Sequence, residues 1–360
     1  MTHRRQILEA RALFQRAING DYRAIADVQD LLQGRPNVVE SMSTSDFPIL
    51  LGAGFEREML QEYQSITPVW QQFSRRVTVR NFKPQTLVEI LGGRAGLDKV
   101  KQGAEYKARA LSEAKHEFKV EKYGARIPLT WEMLVNDELG AFDDLGQRLA
   151  TAARETEELV ALAPIFNANK TGLNTSFWTG VAAPDTPVLT EASLEAALIN
   201  IATRKDSDGR PIVLSGAVLM VAPSLAPTAR RILNAREIRR TNGDVTTIET
   251  NALAGAVRIV ENPWLPIYAP SYANINTMWM VLPDPNAGRP TLVTGFLRGY
   301  ETPDLRTKSD TGTRLGGGAI PASEGSFDDD TIQYRVRHNT GAAALINIGA
   351  YISTGTTTPA

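Results

Sequence analysis

The sequence predicts a mixed α+β protein with two compact domains and two appendages. Three observations carry this. The chain has 360 residues, 42% of them hydrophobic, enough for about two domains with a sizeable core. From Glu191 to Leu297, amphipathic helical stretches alternate with short apolar strand-like runs. And Lys115–Lys122 alternates charged with other residues at the period of a strand, beside a polar, glycine-rich segment, which reads as a hairpin.

Composition narrows the chemistry. There is no cysteine, so a disulfide framework, a thiolate zinc site, an iron–sulfur cluster and a cysteine nucleophile are all excluded. The three histidines, His3, His116 and His338, are isolated in sequence, and no H-E-x-x-H spacing supports a metal site. The 39 Lys and Arg balance 40 Asp and Glu to a formal net charge of -1, unlike a dedicated DNA-wrapping protein. No apolar run reaches the roughly 18 residues of a membrane-spanning helix, and no apolar signal core follows Arg4 and Arg5.

Along the chain, Arg4–Gln33 reads as a helical arm, broken at Asn19-Gly20 and stopped at Gly34-Arg35-Pro36. Leu51, Phe55, Met59 and Tyr63 then form an apolar stripe, with Asp46 as N-cap and Pro48 in the first turn. A short helix is predicted over Pro68–Phe73 and a strand over Arg75–Phe82. Lys83–Arg126 reads as the hairpin, with the tip Gly92-Gly93-Arg94-Ala95-Gly96 and a bulge or bend at Tyr123-Gly124. That tip lacks the G-K-[ST] ending of a phosphate-binding loop. Helical structure is expected to begin over Thr130–Val135.

The strongest helical signal is Phe142–Phe166, with Phe142, Leu145, Leu149, Ala152, Thr156, Leu159, Ala163 and Phe166 on one seam. Glu155, Glu157 and Glu158 fall off that seam and are read as a solvated charged face rather than a paired-carboxylate site. Asn167–Thr190 reads as a connection. The second unit holds helices at Glu191–Arg204 and Ala226–Ala235, and strands at Ala217–Val221, Val257–Val260, Met278–Leu282 and Thr291–Leu297. Asp208-Gly209 and Asn242-Gly243 signal turns. Thr302–Ser326 is expected to be an exposed loop. Ile332, Tyr334 and Val336 alternate with Gln333, Arg335 and Arg337 in a strand with one basic face; Ala342–Tyr351 is strand-like and Ser353–Ala360 a polar tail.

The order of these elements resembles the major capsid proteins of tailed bacteriophages, the HK97-type fold. The stretch KHEFKVEKYGARIPLTWEMLVND, Lys115–Asp137, is similar to the segment of those proteins where the second strand of the E-loop enters the peripheral P domain. Phe142–Phe166 corresponds to their spine helix, and FDDDTIQYRVRHNTG, Phe327–Gly341, to their return strand. The resemblance covers the chain from about Phe47 onward. It implies a helical N-terminal arm with a lead-in strand over 1–82, an E-loop hairpin over 83–126 and a P domain over 127–182. The axial A domain, of mixed α/β structure, takes 183–326, the return strand 327–341, and a C-terminal strand and tail 342–360.

The resemblance further implies a structural, non-enzymatic subunit without cofactor or metal. Copies would assemble as pentamers and hexamers into an icosahedral shell around non-specifically packaged double-stranded DNA, made in the host bacterial cytoplasm and located in the virion. Its partners would be a portal protein and a separate scaffolding or decoration protein, with no membrane. The arm, Met1–Gly34, is expected to be retained. Contacts between subunits are expected through Lys99, Lys101, Lys107, Arg109, Lys115, Glu117, Lys119 and Glu121 in the hairpin. Arg4, Arg5, Arg11 and Arg16 are the candidates for interior contacts with DNA. Some relatives form Lys–Asn crosslinks, for which Lys99, Lys101 or Lys107 with Asn339 or Asn347 are the candidates here. Two alternatives remain. An encapsulin-like compartment would use the same fold around a protein cargo. A soluble hydrolase would need a nucleophile, but Ser215 and Ser224 lack the G-x-S-x-G frame.

Overall fold

A computed structural model of the chain describes residues 47–91, 99, 112–130, 145–206, 209–212, 216–242, 245–286, 288–308, 312–313, 315, 319–320 and 331–357. The arm, the hairpin tip and the Trp131–Val135 part of the expected helical start lie outside these residues. The chain divides into two compact units. One takes in described residues within 47–59, 125–148 and 305–336, the other those within 60–124, 149–304 and 337–357.

Helix α1 runs from Phe47 to Ser65 and buries Met59 and Tyr63. A 3-10 turn at Val69–Gln72 seats Trp70 in the core before strand β1, Arg75–Val79. Strands β2 (Gln85–Leu91) and β3 (Ser112–Phe118) pair antiparallel, from Gln85 opposite Phe118 to Leu91 opposite Ser112. The gap between strands falls at Lys119-Val120 rather than at Gly124, while the exposed–buried alternation runs on through Val120. Gly124 lies inside β4, Glu121–Thr130, which also makes Thr130 extended rather than helical. Helix α2, Leu145–Leu162, ends where Pro164, which has no N–H, tightens the chain into a 3-10 turn at Ala163–Ile165.

Asn167–Thr190 is more than a connection: Leu173, Phe177 and Trp178 enter the core, and Asp185–Pro187 forms β5. Helix α3, Glu191–Thr203, opens on a capping box: Ser193 N donates to Thr190 Oγ1 at 3.1 Å, and Thr190 N to Ser193 Oγ at 2.8 Å. Then come β6 (Ala217–Val221), α4 (Ala226–Asn234), β7 (Glu237–Asn242), β8 (Val245–Thr250) and β9 (Arg258–Glu261). Strands β7 and β8 pair antiparallel from Glu237 opposite Thr250 to Asn242 opposite Val245; Gly243 of the expected turn lies outside the described residues. The rest is α5 (Trp264–Tyr268), β10 (Trp279–Pro283), β11 (Leu292–Leu297), β12 (Asp304–Lys308), β13 (Gly312–Thr313), β14 (Ala319–Ile320), β15 (Thr331–Ala344) and β16 (Tyr351–Thr357). Thus the expected loop at Thr302–Ser326 contains strands, with Leu305 buried, and the expected polar tail is a paired strand as far as Thr357. The Ala342–Tyr351 run is strand only at its two ends.

A five-stranded sheet in the order β5-β16-β10-β6-β9 forms the centre of the second unit. It is covered on both faces, so its strands read as continuous apolar runs, AVLMV and WMVLP. The period of two sorts them. Leu219, Val221, Trp279, Val281 and Tyr351 pack with Leu194, Ala197 and Ile201 of α3 and Ala226, Ala229 and Leu233 of α4. Val218, Met220, Met280, Leu282 and Ile352 face the other way, toward Leu162, Ile165, Trp178 and Trp70. In the other large sheet β1 pairs parallel with β11 and β11 antiparallel with β15, which also pairs with β4 and β12. Ile332, Tyr334 and Val336 point inward along β15, as their alternation predicts.

Two glycines let chain segments cross this sheet. A Cβ on Gly295 would sit 1.8 Å from the ring of Phe118, and one on Gly341 would sit 2.1 Å from the carbonyl oxygen of Lys119. Phe118 and Val120 thereby reach the cluster of Val79, Val293 and Leu297. Gly295→Ala and Gly341→Ala are each expected to lower stability by about 1–3 kcal/mol. Gly341→Ala should cost the more, because a backbone carbonyl cannot rotate away. Urea denaturation measures both, and unchanged midpoints would refute the close approach.

Candidate functional site

The charged stretch after the hairpin tip is anchored from one side only. Phe118 and Val120 are 1% exposed, whereas Lys115, Glu117, Lys119 and Glu121 are all exposed. The β2–β3 pair joins no other strand among the described residues. A two-stranded ribbon is marginal by itself in water, so its ordering depends on what lies against it. Lys119 Nζ meets Glu121 Oε1 at 3.1 Å, an exposed pair worth about 0–1 kcal/mol. Lys99 is exposed; Lys101, Lys107, Arg109, Arg4, Arg5, Arg11 and Arg16 lie outside the described residues.

Between the base of this ribbon and the end of α2 runs an open trough of about 660 Å³, lined among others by His116, Glu117, Phe177, Ala343 and Asn347. A second hollow of about 450 Å³ adjoins it at Glu117 and Ala342 and extends past Lys119, Glu121 and Tyr123. Asn347 donates to the carbonyl oxygens of Phe177 and Thr179 at 2.7 and 3.3 Å. Asn339 is buried at 3% exposure, out of reach of a lysine from another chain, so of the two asparagines Asn347 is the accessible one. Ser224 is spent on the carbonyl oxygen of Asn276, at 2.7 Å, and Ser215 lies outside the described residues.

The second feature is a buried polar cluster that corrects the sequence reading of α2. The buried face of this helix is Leu149, Ala150, Ala153, Glu157, Glu158, Ala161 and Leu162, whereas Ala152 is exposed. Glu157 and Glu158, expected on a solvated face, are 0% and 2% exposed. The apolar seam drawn from sequence is rotated because it counted only apolar residues, and here two carboxylates occupy the centre of the buried stripe.

Glu157 is the hub. Its Oε1 accepts from the Tyr63 hydroxyl and lies 2.9 Å from His338 Nε2. Its Oε2 accepts from Trp70 Nε1 at 2.9 Å and Arg154 Nη1 at 3.0 Å. Arg154 also donates from Nε and Nη2 to the Tyr63 carbonyl oxygen, at 2.9 and 2.6 Å, and lies over the Tyr63 ring. Burial raises the Glu157 pKa, but the His338, Tyr63 and Arg154 interactions outweigh it and hold the carboxyl below its ordinary value. Burial, then the Glu157 charge, raises the Tyr63 hydroxyl. The sequence signal for the cluster was present in the spacing Ala150, Ala153, Glu157, Ala161 and in the lone His338 on the inward face of its strand.

Glu157→Leu strips four donors of one acceptor and is expected to cost about 3–5 kcal/mol, the scale of breaking a buried ion pair. Tyr63→Phe removes one charge-assisted hydrogen bond and should cost about 1.5–3 kcal/mol. Because the folded-state pKa of Glu157 is depressed, its contribution is present above the ordinary carboxyl range and is lost as pH falls through the depressed value. Chemical denaturation at neutral and acidic pH measures all three, and a Glu157→Leu protein as stable as the parent would refute the hub.

Comparison with known proteins places these features in a family. A family model for "Phage capsid protein" matches residues 113–352, more than half of the chain. Curated proteins give no match. Several solved structures are similar. A chain of Gordonia phage Cozz is 16% identical, with 78% of this chain and 84% of that one covered and a TM-score of 0.46. The capsid of cyanophage P-SCSP1u is 11% identical, with 81% and 89% covered and a TM-score of 0.48. The holo-SrpI encapsulin complex from Synechococcus elongatus PCC 7942 is 13% identical, with 82% and 91% covered and a TM-score of 0.45. The family match begins in β3, takes in the α2 hub and the sheet of the second unit, and ends in β16: this chain belongs to the phage capsid protein family.

Proposed function

We propose that the chain is the major capsid protein of a tailed bacteriophage, with copies assembling as pentamers and hexamers into an icosahedral shell around double-stranded DNA. The family match over 113–352 carries the reading. The β2–β3 ribbon supports it physically: a ribbon that pairs with no other described strand and carries exposed charges of both signs gains a partner surface from a neighbouring subunit. Contacts of this kind are individually weak, and closure of the shell makes them cooperative. The role is structural rather than catalytic and its place is the virion. A portal protein, a scaffolding or decoration protein and packaged DNA are the further partners this reading calls for. The basic arm residues Arg4, Arg5, Arg11 and Arg16 supply sequence-independent phosphate contacts in it.

Electron microscopy of the purified chain tests the proposal. Icosahedral particles or rings of five and six are expected, and a persistent monomer across assembly conditions would overturn it. Nucleic acid inside isolated particles distinguishes a genome container from an encapsulin-like compartment, which would hold protein. Reversing the ribbon charges in Lys115→Glu/Lys119→Glu should leave the circular dichroism spectrum unchanged. It should raise the concentration needed for assembly by about tenfold, equivalent to about 1.4 kcal/mol. An unaltered assembly threshold would remove the ribbon from the interface.

A further inference from the structure

The α2 cluster holds a second buried carboxyl, to which no cationic side chain donates a hydrogen bond. Glu158 lies beside Glu157 on the buried face, and its surroundings differ sharply from those of its neighbour. Its Oε1 accepts the backbone N–H groups of Val69 and Trp70, while its Oε2 is buried without a hydrogen-bond partner. The groups around it, by element, are Arg154 and Glu157 on α2, Tyr63 on α1, and His338 on β15; the Val69–Gln72 turn presents only backbone and Trp70. Arg76 on β1 acts on Tyr63 from farther off and is itself exposed, paired to Glu301 at 3.0 Å.

Arg154 donates to Glu157 and to the Tyr63 carbonyl oxygen and makes no hydrogen bond to Glu158. His338 does not fill the gap. Its Nε2 faces Glu157 and its Nδ1 is buried without a partner. Of the two carboxyls, Glu157 has Arg154 and His338 against it and Glu158 has only backbone N–H groups, so a proton taken up by the pair belongs on Glu158.

We propose that Glu158 carries a proton in the folded subunit and that this proton is a latch, holding the Val69–Gln72 turn and the adjoining end of α1 against α2 until rising pH removes it. The inference concerns the single subunit and holds whether or not the chain builds a shell. The direction of the pH effect follows from burial, which pushes the Glu158 carboxyl up to about 7, the two backbone N–H groups offsetting only part of the rise. A carboxyl raised in the folded state and ordinary once hydrated makes the closed state bind the extra proton. Closure is therefore tightest below the ordinary carboxyl range. It weakens as pH rises toward about 7, and is no further weakened above it. In that window the open fraction should rise by up to about tenfold per pH unit. The change is opposite in sign to that of Glu157, which is lost on acidification.

The test is amide hydrogen exchange of Val69 and Trp70 in the full-length subunit, corrected for the intrinsic pH dependence and compared with Glu158→Gln. Glutamine keeps an acceptor for both amides and cannot ionise. The wild-type opening constant should climb with pH and level off near neutrality, whereas the variant's should stay flat. A flat wild-type profile, or a variant that keeps the wild-type slope, overturns the latch. If Glu158→Gln does not fold, infrared spectroscopy of the wild type decides. A buried carboxylic-acid carbonyl band present at mildly acidic pH and titrating away near neutrality supports the proposal, and its absence refutes it.

Discussion

The second unit depends on a single buried carboxylate. Glu157 accepts from a helix hydroxyl, a 3-10 turn indole, a strand imidazole and its own helix's guanidinium, so donors up to 181 positions away from it in the chain converge on its two oxygen atoms. An ion buried to 0% exposure is costly unless its lone pairs are filled, and here all its partners are donors. The arrangement is directional in a way that apolar packing is not. Leu162 or Ile165 would tolerate a small rotation of α2, but the Glu157 hub fixes the rotation and the rise of the helix against Tyr63 and Trp70. Replacing it with an apolar side chain would therefore change specificity of packing as well as its free energy.

That fixed helix then supplies one wall of the core beneath the β5-β16-β10-β6-β9 sheet. The opposite face is closed by α3 and α4. Because both faces are dry, the sheet needs no directional polar contact of its own, and the few polar atoms nearby are taken up at its margin: Trp279 Nε1 donates to the Pro187 carbonyl oxygen at 3.0 Å, and the Tyr351 hydroxyl to Asp185 at 2.6 Å. The unit thus has an apolar layer specified by shape and volume, and a polar hub that sets the orientation of the layer below it.

This division explains what the sequence made legible. Where burial is purely apolar, the periodicities locate elements closely: β6 was expected at Ala217–Val221 and lies there, and α3 ends one residue short of its expected Arg204. Where a polar residue does the work of a core residue, the pattern misleads. Glu157 and Glu158 carry the charge that marks a surface in sequence, so the α2 seam was drawn rotated from the buried face: it shares Leu149 with that face but takes in the exposed Ala152. The β7–β8 strands could not be read from the sequence, since Glu237–Asn242 has no apolar alternation. β16 was hidden for a related reason: its Thr and Gly residues look like a tail, and only pairing with β10 and β5, distant in sequence, makes it a strand.

The hairpin follows from the same physics carried to the edge of the molecule. Its base is held firmly, with Phe118 stacked over Gly295 and Lys119-Val120 crossing Gly341, positions where any side chain would collide. Beyond that base, β2 and β3 bond only to each other among the described residues, so no core of their own fixes them. A firmly held base with a marginal ribbon beyond it sets where the ribbon leaves the body and leaves its final ordering to whatever surface it meets. For a subunit that takes its place in a closed shell, as proposed above, this is the useful division of rigidity. The core stays identical in every copy, and the adjustable contacts are confined to exposed charges worth little singly, so a wrong neighbour can be released before many such contacts accumulate.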